Sequence, residues 1–370
     1  MSRFWMIKAK NLNYDEFTII MEVVEGIKVP TFMEFGFADL ESKVIGRGKC
    51  CFCGACIAFC PRIEAIDDIP QLVEYDALCG MCYTHCPRSF LDIPAIEEEI
   101  FGKNRVDELI GVHNGIFAAR SKDPKLRERA QDGGVVTALI SYALDSGMLD
   151  AVVATGLSDE VPWKPVPVII TDSSEVSRVS GSKYALSPTI VGVKEAIDSD
   201  FERIGFVGLP CSIQALRNIQ VSKEPYQIGI DRVKLLIGLF CMENFRYDDL
   251  MSGFVRKVLK VNLEDVVKFE MREGSFWVKT KDTTYSVLIK DLDKYVAEGC
   301  RYCRDFTAEL SDISVGSVGS DHGWSTVIRR SEVGQRLLED AIAEDYIEMG
   351  SITGTDLIKG LSRRKKEGAI

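Results

Sequence analysis

Four cysteines, Cys50, Cys53, Cys56 and Cys60, stand at the spacing C-x2-C-x2-C-x3-C, and Pro61 follows at once. Thiolates this close together on one loop suit a polynuclear iron–sulfur cluster. A zinc site would instead use two C-x2-C pairs held apart by a longer loop. The pattern returns in Cys79, Cys82 and Cys86, with Pro87 behind the last cysteine. Each proline ends a helix or steers the loop after the final ligand. Clusters of this kind move single electrons, so electron transfer is the first chemistry the chain implies.

Two such motifs in tandem are an internal repeat of the kind that builds a bacterial-type ferredoxin unit with two 4Fe–4S clusters. In that arrangement the ligands cross between motifs. Cys50, Cys53, Cys56 and Cys86 would hold one cluster. Cys60, Cys79 and Cys82 would hold the other, with one further ligand. A complete repeat has cysteine three residues before Cys79, where this chain has Asp76. A carboxylate is a harder donor and makes a weaker, more labile iron site. Asp76 is the expected fourth ligand. A three-iron cluster, a solvent ligand, recruitment of Cys51, and an ordinary turn residue beside Tyr75 are the alternatives.

Cys211, Cys241, Cys300 and Cys303 lie outside the repeat. Cys211 and Cys241 each end a strand-like run, and Cys300 and Cys303 form a C-x2-C pair. Strand ends on one side of an α/β sheet converge, and cofactors bind along that edge. The four thiols suffice for a third cluster. From spacing alone, burial as small apolar residues accounts for Cys211 and Cys241 equally well. A catalytic thiol at Cys211 has no histidine near it in sequence.

These residues need a scaffold. The 370 residues suffice for two or three domains, and 46% hydrophobic with 27% charged residues is a globular composition. A net charge of -11 speaks against a nucleic-acid binder, which carries a basic stripe. The start of the chain has no apolar signal region, and no apolar run is long enough to span a membrane. Eight cysteines crowd between Cys50 and Cys86, as metal sites require and long-range disulfides do not. A reducing, cytoplasmic setting without membrane insertion is expected.

Residues 17–35 mix short strand-like runs, read as a hairpin, a docking arm or a cap. Residues 96–111 read as a helical connector. Beyond it the texture alternates. Residues 116–120, 150–156, 166–172, 203–210 and 233–241 read as strands, most of them buried. Residues 133–149, 187–199 and 211–220 read as helices. This alternation implies an α/β core. Residues 265–289 look like a hairpin or meander, and 334–350 like one amphipathic helix. The basic stretch 362–370 reads as solvated and frayed.

The segments AQDGGVVTALISYAL, SGSKYALSPT, VGLPCSIQALR, IGLFCMENF and CRYCRDFTAELSDISVGSVGSDHGWSTVIRR occur in that order. The series resembles the beta-subunit family of coenzyme F420-reducing hydrogenase. It is also similar to the beta subunit of F420-dependent formate dehydrogenase and the input subunit of F420H₂ dehydrogenase. The likeness spans about residues 116–350. A ferredoxin unit in front makes the layout most like the dehydrogenase input subunit and the related domain of F420-dependent sulfite reductase.

The resemblance implies an FAD with a 4Fe–4S cluster beside it, held by Cys211, Cys241, Cys300 and Cys303, so three clusters in all. It places the flavin on Gln131, Asp132, Gly133, Gly134, Val135, Thr137, Ser182, Lys183, Tyr184, Ser187 and Trp324. The residue types agree: Gly133 and Gly134 open a helix whose N–H groups can meet a phosphate. Lys183 either offsets pyrophosphate charge or is a solvated lysine, and Tyr184 either stacks on a ring or packs. The chain lacks a G-x-G-x-x-G fingerprint, so an ordinary Rossmann mode is not expected.

The expected class is α+β, a two-cluster ferredoxin unit (46–100) followed by an α/β flavoprotein unit (112–350). An N-terminal extension (1–45) and a C-terminal tail (351–370) flank them. The implied activity is hydride exchange with coenzyme F420 through FAD, with electrons passing singly to or from ferredoxin or the other subunits of a redox complex. No acid–base group is needed, and His85, His113 and His322 receive no catalytic role. An iron–sulfur adaptor without flavin chemistry and a flavoenzyme using NADH are the rival classes.

Overall fold

The computed structural model describes residues 36–74, 80–222 and 228–370, together with the backbone of Met21–Val24 and Ile27–Pro30. Asp76 and Cys79, two of the expected ligands, lie outside the described residues. An eight-stranded sheet forms the centre. Its strands run in the order Ile347–Gly350, Gly115–Ser121, Ser325–Arg329, Ile313–Gly316, Val233–Leu239, Ile204–Gly208, Ala151–Leu157 and Pro165–Ile170. The strands from Ile313–Gly316 to Ala151–Leu157 are parallel, and both margins are antiparallel.

Parallel strands covered on both faces read as continuous apolar runs. Ile204–Gly208 is accordingly buried at every position. Successive residues of one strand serve opposite cores. Val152 and Ala154 join the helices Val135–Asp145 and Glu332–Ala343 on one face. Val153 joins the helices Val191–Asp198 and Pro210–Val221 on the other. That second core also takes in Cys51, Cys53, Ala55 and Ile96, so the cysteine-rich unit docks on one face of the sheet. Val266–Arg272, Ser275–Thr280 and Thr284–Leu288 form the expected meander. Met21–Val24 and Ile27–Pro30 pair as an antiparallel hairpin.

Three segments depart from the sequence expectation. The connector helix is only Ile93–Phe101. Gly102 takes φ +64 at its end and gives its N–H to the Glu98 carbonyl, a left-handed cap that stops the helix. The single amphipathic helix expected over 334–350 is Glu332–Ala343 followed by a strand. Asp345 turns the chain at φ +64, and Ile347–Gly350 then adds itself to Gly115–Ser121. The basic tail is not frayed: Thr355–Gly368 is a helix, with Ile358 and Ser362 fully buried and Lys365 only 7% exposed. Residues at 358, 362 and 365 fall on one helical face. The charged residues between them hid that stripe. No helix among the described residues is long and apolar enough to cross a membrane.

Candidate functional site

Gly54 and Gly80 both adopt the left-handed conformation, which glycine takes without a Cβ penalty. Each starts a one-turn helix, Ala55–Ala58 and Met81–Thr84, carrying Cys56 and Cys82. The repeat in sequence is thus a repeat in backbone shape. Cys56 lies within electrostatic reach of Cys50 and Cys86, and Cys53 within reach of Cys86. Cys50, Cys51, Cys53, Cys56 and Cys86 line one cavity closed by Leu40, Val44 and Pro70. Burial pushes the Cys56 thiol well above the usual thiol range and Cys86 up to about 11. Cys60 and Cys82 pack in the same apolar cluster as Cys56 and Cys86. Among the described residues no three Cys, His, Asp or Glu side chains close around a single metal ion.

The late cysteines come from three different places. Cys211 is the second residue of the helix Pro210–Val221, directly after the strand Ile204–Gly208. Cys241 follows the neighbouring parallel strand Val233–Leu239, where its N–H binds the Phe306 carbonyl. Cys300 and Cys303 bracket the end of the 3-10 turn Glu298–Tyr302. The fold brings them together, every pair of the four lying within electrostatic reach. Burial drives Cys241 up strongly and Cys300 up to about 12. Cys211 also rises well above the thiol range, through its hydrogen bond to Cys51 and then burial. Cys303 alone falls: burial works against its thiolate, but Lys365 and Arg88 outweigh it. Metal binding to such thiols is coupled to loss of their protons.

The expected flavin residues form a second group. The loop before Val135–Asp145 is clamped to the sheet, with the Gly133 N–H on Ser325 Oγ at 3.1 Å and the Ser121 N–H on the Gly133 carbonyl at 2.7 Å. A Cβ on Gly133 would stand 2.7 Å from the Ala119 carbonyl oxygen. Gly134 caps the helix at φ +71, and no side chain caps its first turn. The first N–H groups of that helix therefore have no side-chain cap, as an anion site requires. Val135 itself lies in the core, so only its backbone is on offer. Thr137 Oγ1 reaches Ser180 Oγ at 3.4 Å.

Tyr184 joins the parts. Its hydroxyl donates to Gln131 Oε1 at 3.3 Å and accepts from the Met271 N–H at 2.9 Å, and it interacts with Ser182. Lys183 is not a solvated lysine. Its ammonium donates to the carbonyls of Val179, Ser180 and Gly181 at 2.7, 3.0 and 3.0 Å, and burial lowers it to about 8. Ser187 Oγ is buried and has no hydrogen-bond partner. Trp324 lies under the Arg120 guanidinium, 4.4 Å from its ring centre, and its link to the rest is its neighbour Ser325. Burial pushes the Asp132 carboxyl up to about 6, against the pull of His322 and Lys268.

One segment touches all these groups. Residues 182–184 belong to the flavin group. Leu186 packs with Phe52, Ala297 and the partly buried Cys300. Ile190 gives its N–H to the Cys53 carbonyl at 3.2 Å. Close approach depends on two glycines. A Cβ on Gly54 would meet the Pro188 carbonyl oxygen at 2.7 Å, and one on Gly299 the Cys50 carbonyl oxygen at 2.1 Å.

Two models of the coenzyme F420 hydrogenase/dehydrogenase beta subunit match, the one for its N-terminal part at residues 116–193 and the one for its C-terminal part at 201–355. A coenzyme F420 hydrogenase beta subunit from Methanothermobacter thermautotrophicus is 39% identical over 70% of this chain and 94% of its own length. This chain belongs to the coenzyme F420 hydrogenase/dehydrogenase beta-subunit family. One of the subunits of the F420H₂ dehydrogenase of Methanosarcina mazei is 34% identical over 88% of this chain and 92% of its own. A chain of the xenon-derivatised F420-reducing NiFe hydrogenase complex from Methanosarcina barkeri superposes with a TM-score of 0.68. It is 36% identical and covers 71% of this chain and 91% of its own. The mixed α/β fold is therefore that of this family.

Several residues that contact the expected site residues carried no separate sequence signal. Ser325 clamps Gly133, Ser317 bonds Asp132, and His322 lies beside Asp132. Ser317, His322 and Ser325 belong to the segment 300–330 that carries the resemblance, so the segment was visible but not its roles. Arg88 and Lys365, beside the late cysteines, carried no sequence signal.

Proposed function

We propose that this chain is the coenzyme F420-reacting subunit of a redox complex. It exchanges reducing equivalents with F420 at a bound FAD and passes electrons through 4Fe–4S clusters to or from ferredoxin or its partner subunits. The observation that carries this reading is the single segment 182–190, which runs from the Tyr184 cradle past Cys300 to Cys53. Electron transfer needs cofactors in sequence and close together, and one short segment touches each of these groups of residues.

The residues suit the groups. Ser187 Oγ is a buried hydroxyl awaiting a partner, the uncapped turn at Gly134 offers N–H groups to a phosphate, and two sets of buried thiols converge. FAD takes up a hydride and releases electrons singly, and the clusters carry them one at a time. Gln131 and the Met271 N–H hold the Tyr184 ring in place. Gly133 admits the loop close to the sheet, and Thr137 ties it to Ser180. The apolar shell of Phe52, Leu186 and Ala297 keeps water away from Cys300. Neither His113 nor His322 is needed for a proton.

The test is anaerobic isolation, followed by an iron and flavin count and by viologen reduction with F420H₂ and with NADH. Roughly eight or more irons, one FAD and activity with F420H₂ are expected. Iron without flavin would leave only an electron-transfer adaptor, and activity with NADH alone would replace the donor.

A further inference from the structure

Two cations, buried Lys365 and half-buried Arg88, flank the late cysteines. Arg88 follows Cys86 in the cysteine-rich unit and reaches across to the α/β unit. It hydrogen-bonds Cys303, lies within electrostatic reach of Cys51 and Cys211, and its Nη1 meets Gln214 Oε1 at 3.5 Å. Gln214 in turn gives its amide to Asp305 Oδ2 at 3.2 Å, and both residues are only 4% exposed. Arg88 Nε is buried without a hydrogen-bond partner. Lys365 comes from the helix Thr355–Gly368, beyond the end of the family-model match at residue 355. Its ammonium donates to the Cys241 carbonyl and lies within reach of Cys300 and Cys303. Two carboxylates share this neighbourhood: Asp305, which already accepts the Glu309 N–H on both oxygens as well as the Gln214 amide, and Glu243, which lies within electrostatic reach of Lys365.

Resting on the reading that these cysteines hold a cluster, we propose that Arg88 and Lys365 are potential-setting residues. Their fixed charges make the late centre easier to reduce. A cluster with four thiolates is anionic, and reduction adds one more negative charge. Net charge and hydrogen bonds to sulfur are among the levers on its potential. A cation held in a dry, low-dielectric site stabilises the reduced form more than a solvated one would. The two residues differ in reach. Lys365 lies among Cys241, Cys300 and Cys303, whereas Arg88 also influences Cys50 and Cys86. Lys365 therefore tunes the late centre selectively, and Arg88 tunes both sides of the handoff. Both are positioning residues that act through the cluster's surroundings.

The test is an anaerobic potentiometric titration of the full chain, followed by EPR. The late signal is identified as the one altered in Cys241→Ser. Lys365→Met should lower the reduced-to-oxidised ratio of that signal at fixed potential by about tenfold, about 59 mV for a one-electron couple. It should leave the Cys50/Cys53/Cys56/Cys86 signal in place, while Arg88→Met moves both. Lys365→Arg and Arg88→Lys, which keep the charge, should restore the wild-type values. Full iron with an unmoved late midpoint in both methionine variants overturns the inference. So does a Lys365→Arg variant that shifts as far as Lys365→Met, because packing and not charge would then be at work. Wild-type protein without any late signal would sink the underlying reading, and this inference with it.

Discussion

The cysteine-rich unit and the α/β unit hold their thiols in different ways. In the first, Cys50, Cys53 and Cys56 lie on one loop, and a left-handed glycine and a one-turn helix repeat for the second motif. In the second, Cys211 and Cys241 sit at adjacent parallel strand ends, and a distant 3-10 turn supplies Cys300 and Cys303. A helix from residues 355–368 closes the neighbourhood. The near set depends on local backbone shape. The far set depends on the sheet, the turn and that helix being in place together. Its stability is thus coupled to the global fold, while the near set should survive local damage elsewhere.

The largest expected effect is at Cys241. Cys241→Ser should lower F420H₂-dependent viologen reduction by more than the roughly 10–100-fold typical of losing an outer-shell partner. The near-set EPR signal should persist. Loss of both signals together would show that the two sets are not separable, a real prospect given the Cys51 contact with Cys211.

Ile358→Ala tests the closing helix. Ile358 is fully buried with Ile110 and Phe306, so the truncation should cost about 2–5 kcal/mol in urea denaturation. The far signal should be lost at lower urea than the near one. Coincident loss would make the whole chain one cooperative unit.

Gly133→Ala acts on the flavin side of the far set. The new methyl meets the Ala119 carbonyl oxygen at 2.7 Å and the Ser325 nitrogen at 2.8 Å. Overpacking of this kind costs about 1–3 kcal/mol. Flavin per chain should fall while near-set iron is unchanged. Full flavin retention would remove this loop from the binding site.

The smallest effect is a pH dependence at Asp132, whose carboxyl rises from 3.8 to about 6 on folding. Between those values the folded state holds more protons than the unfolded one, so stability falls as pH rises through this window. Asp132→Asn should flatten that fall when denaturation midpoints are compared at about pH 4 and about pH 6.5. An unchanged slope would place the carboxyl in solvent, away from His322, Lys268 and Glu270.

Much of the α/β unit was legible because its buried strands are continuous apolar runs and its helices repeat at 3.6 residues. Where the reading went wrong, a single backbone event decided the matter. Gly102 and Asp345 each turn left-handed and end a helical pattern that the side chains alone would have continued. Residues 362–370 misled in the opposite direction. Their charges suggest solvent, yet Ser362 and Lys365 bond the Leu109 and Cys241 carbonyls. Lys183 likewise found backbone carbonyls in place of water.

From residue order alone came the near thiol set, the kind of inorganic group it suits, and the layered alternation of the larger unit. Those features rest on spacings of a few residues, which bond lengths and helix periods limit to few shapes. Only the tertiary structure gathered Cys211, Cys241, Cys300 and Cys303 and set Arg88 and Lys365 beside them. Cys241 and Lys365 are 124 residues apart in the chain. Over such a separation local geometry imposes nothing, and packing of the whole sheet with its covering helices decides which charges end up together.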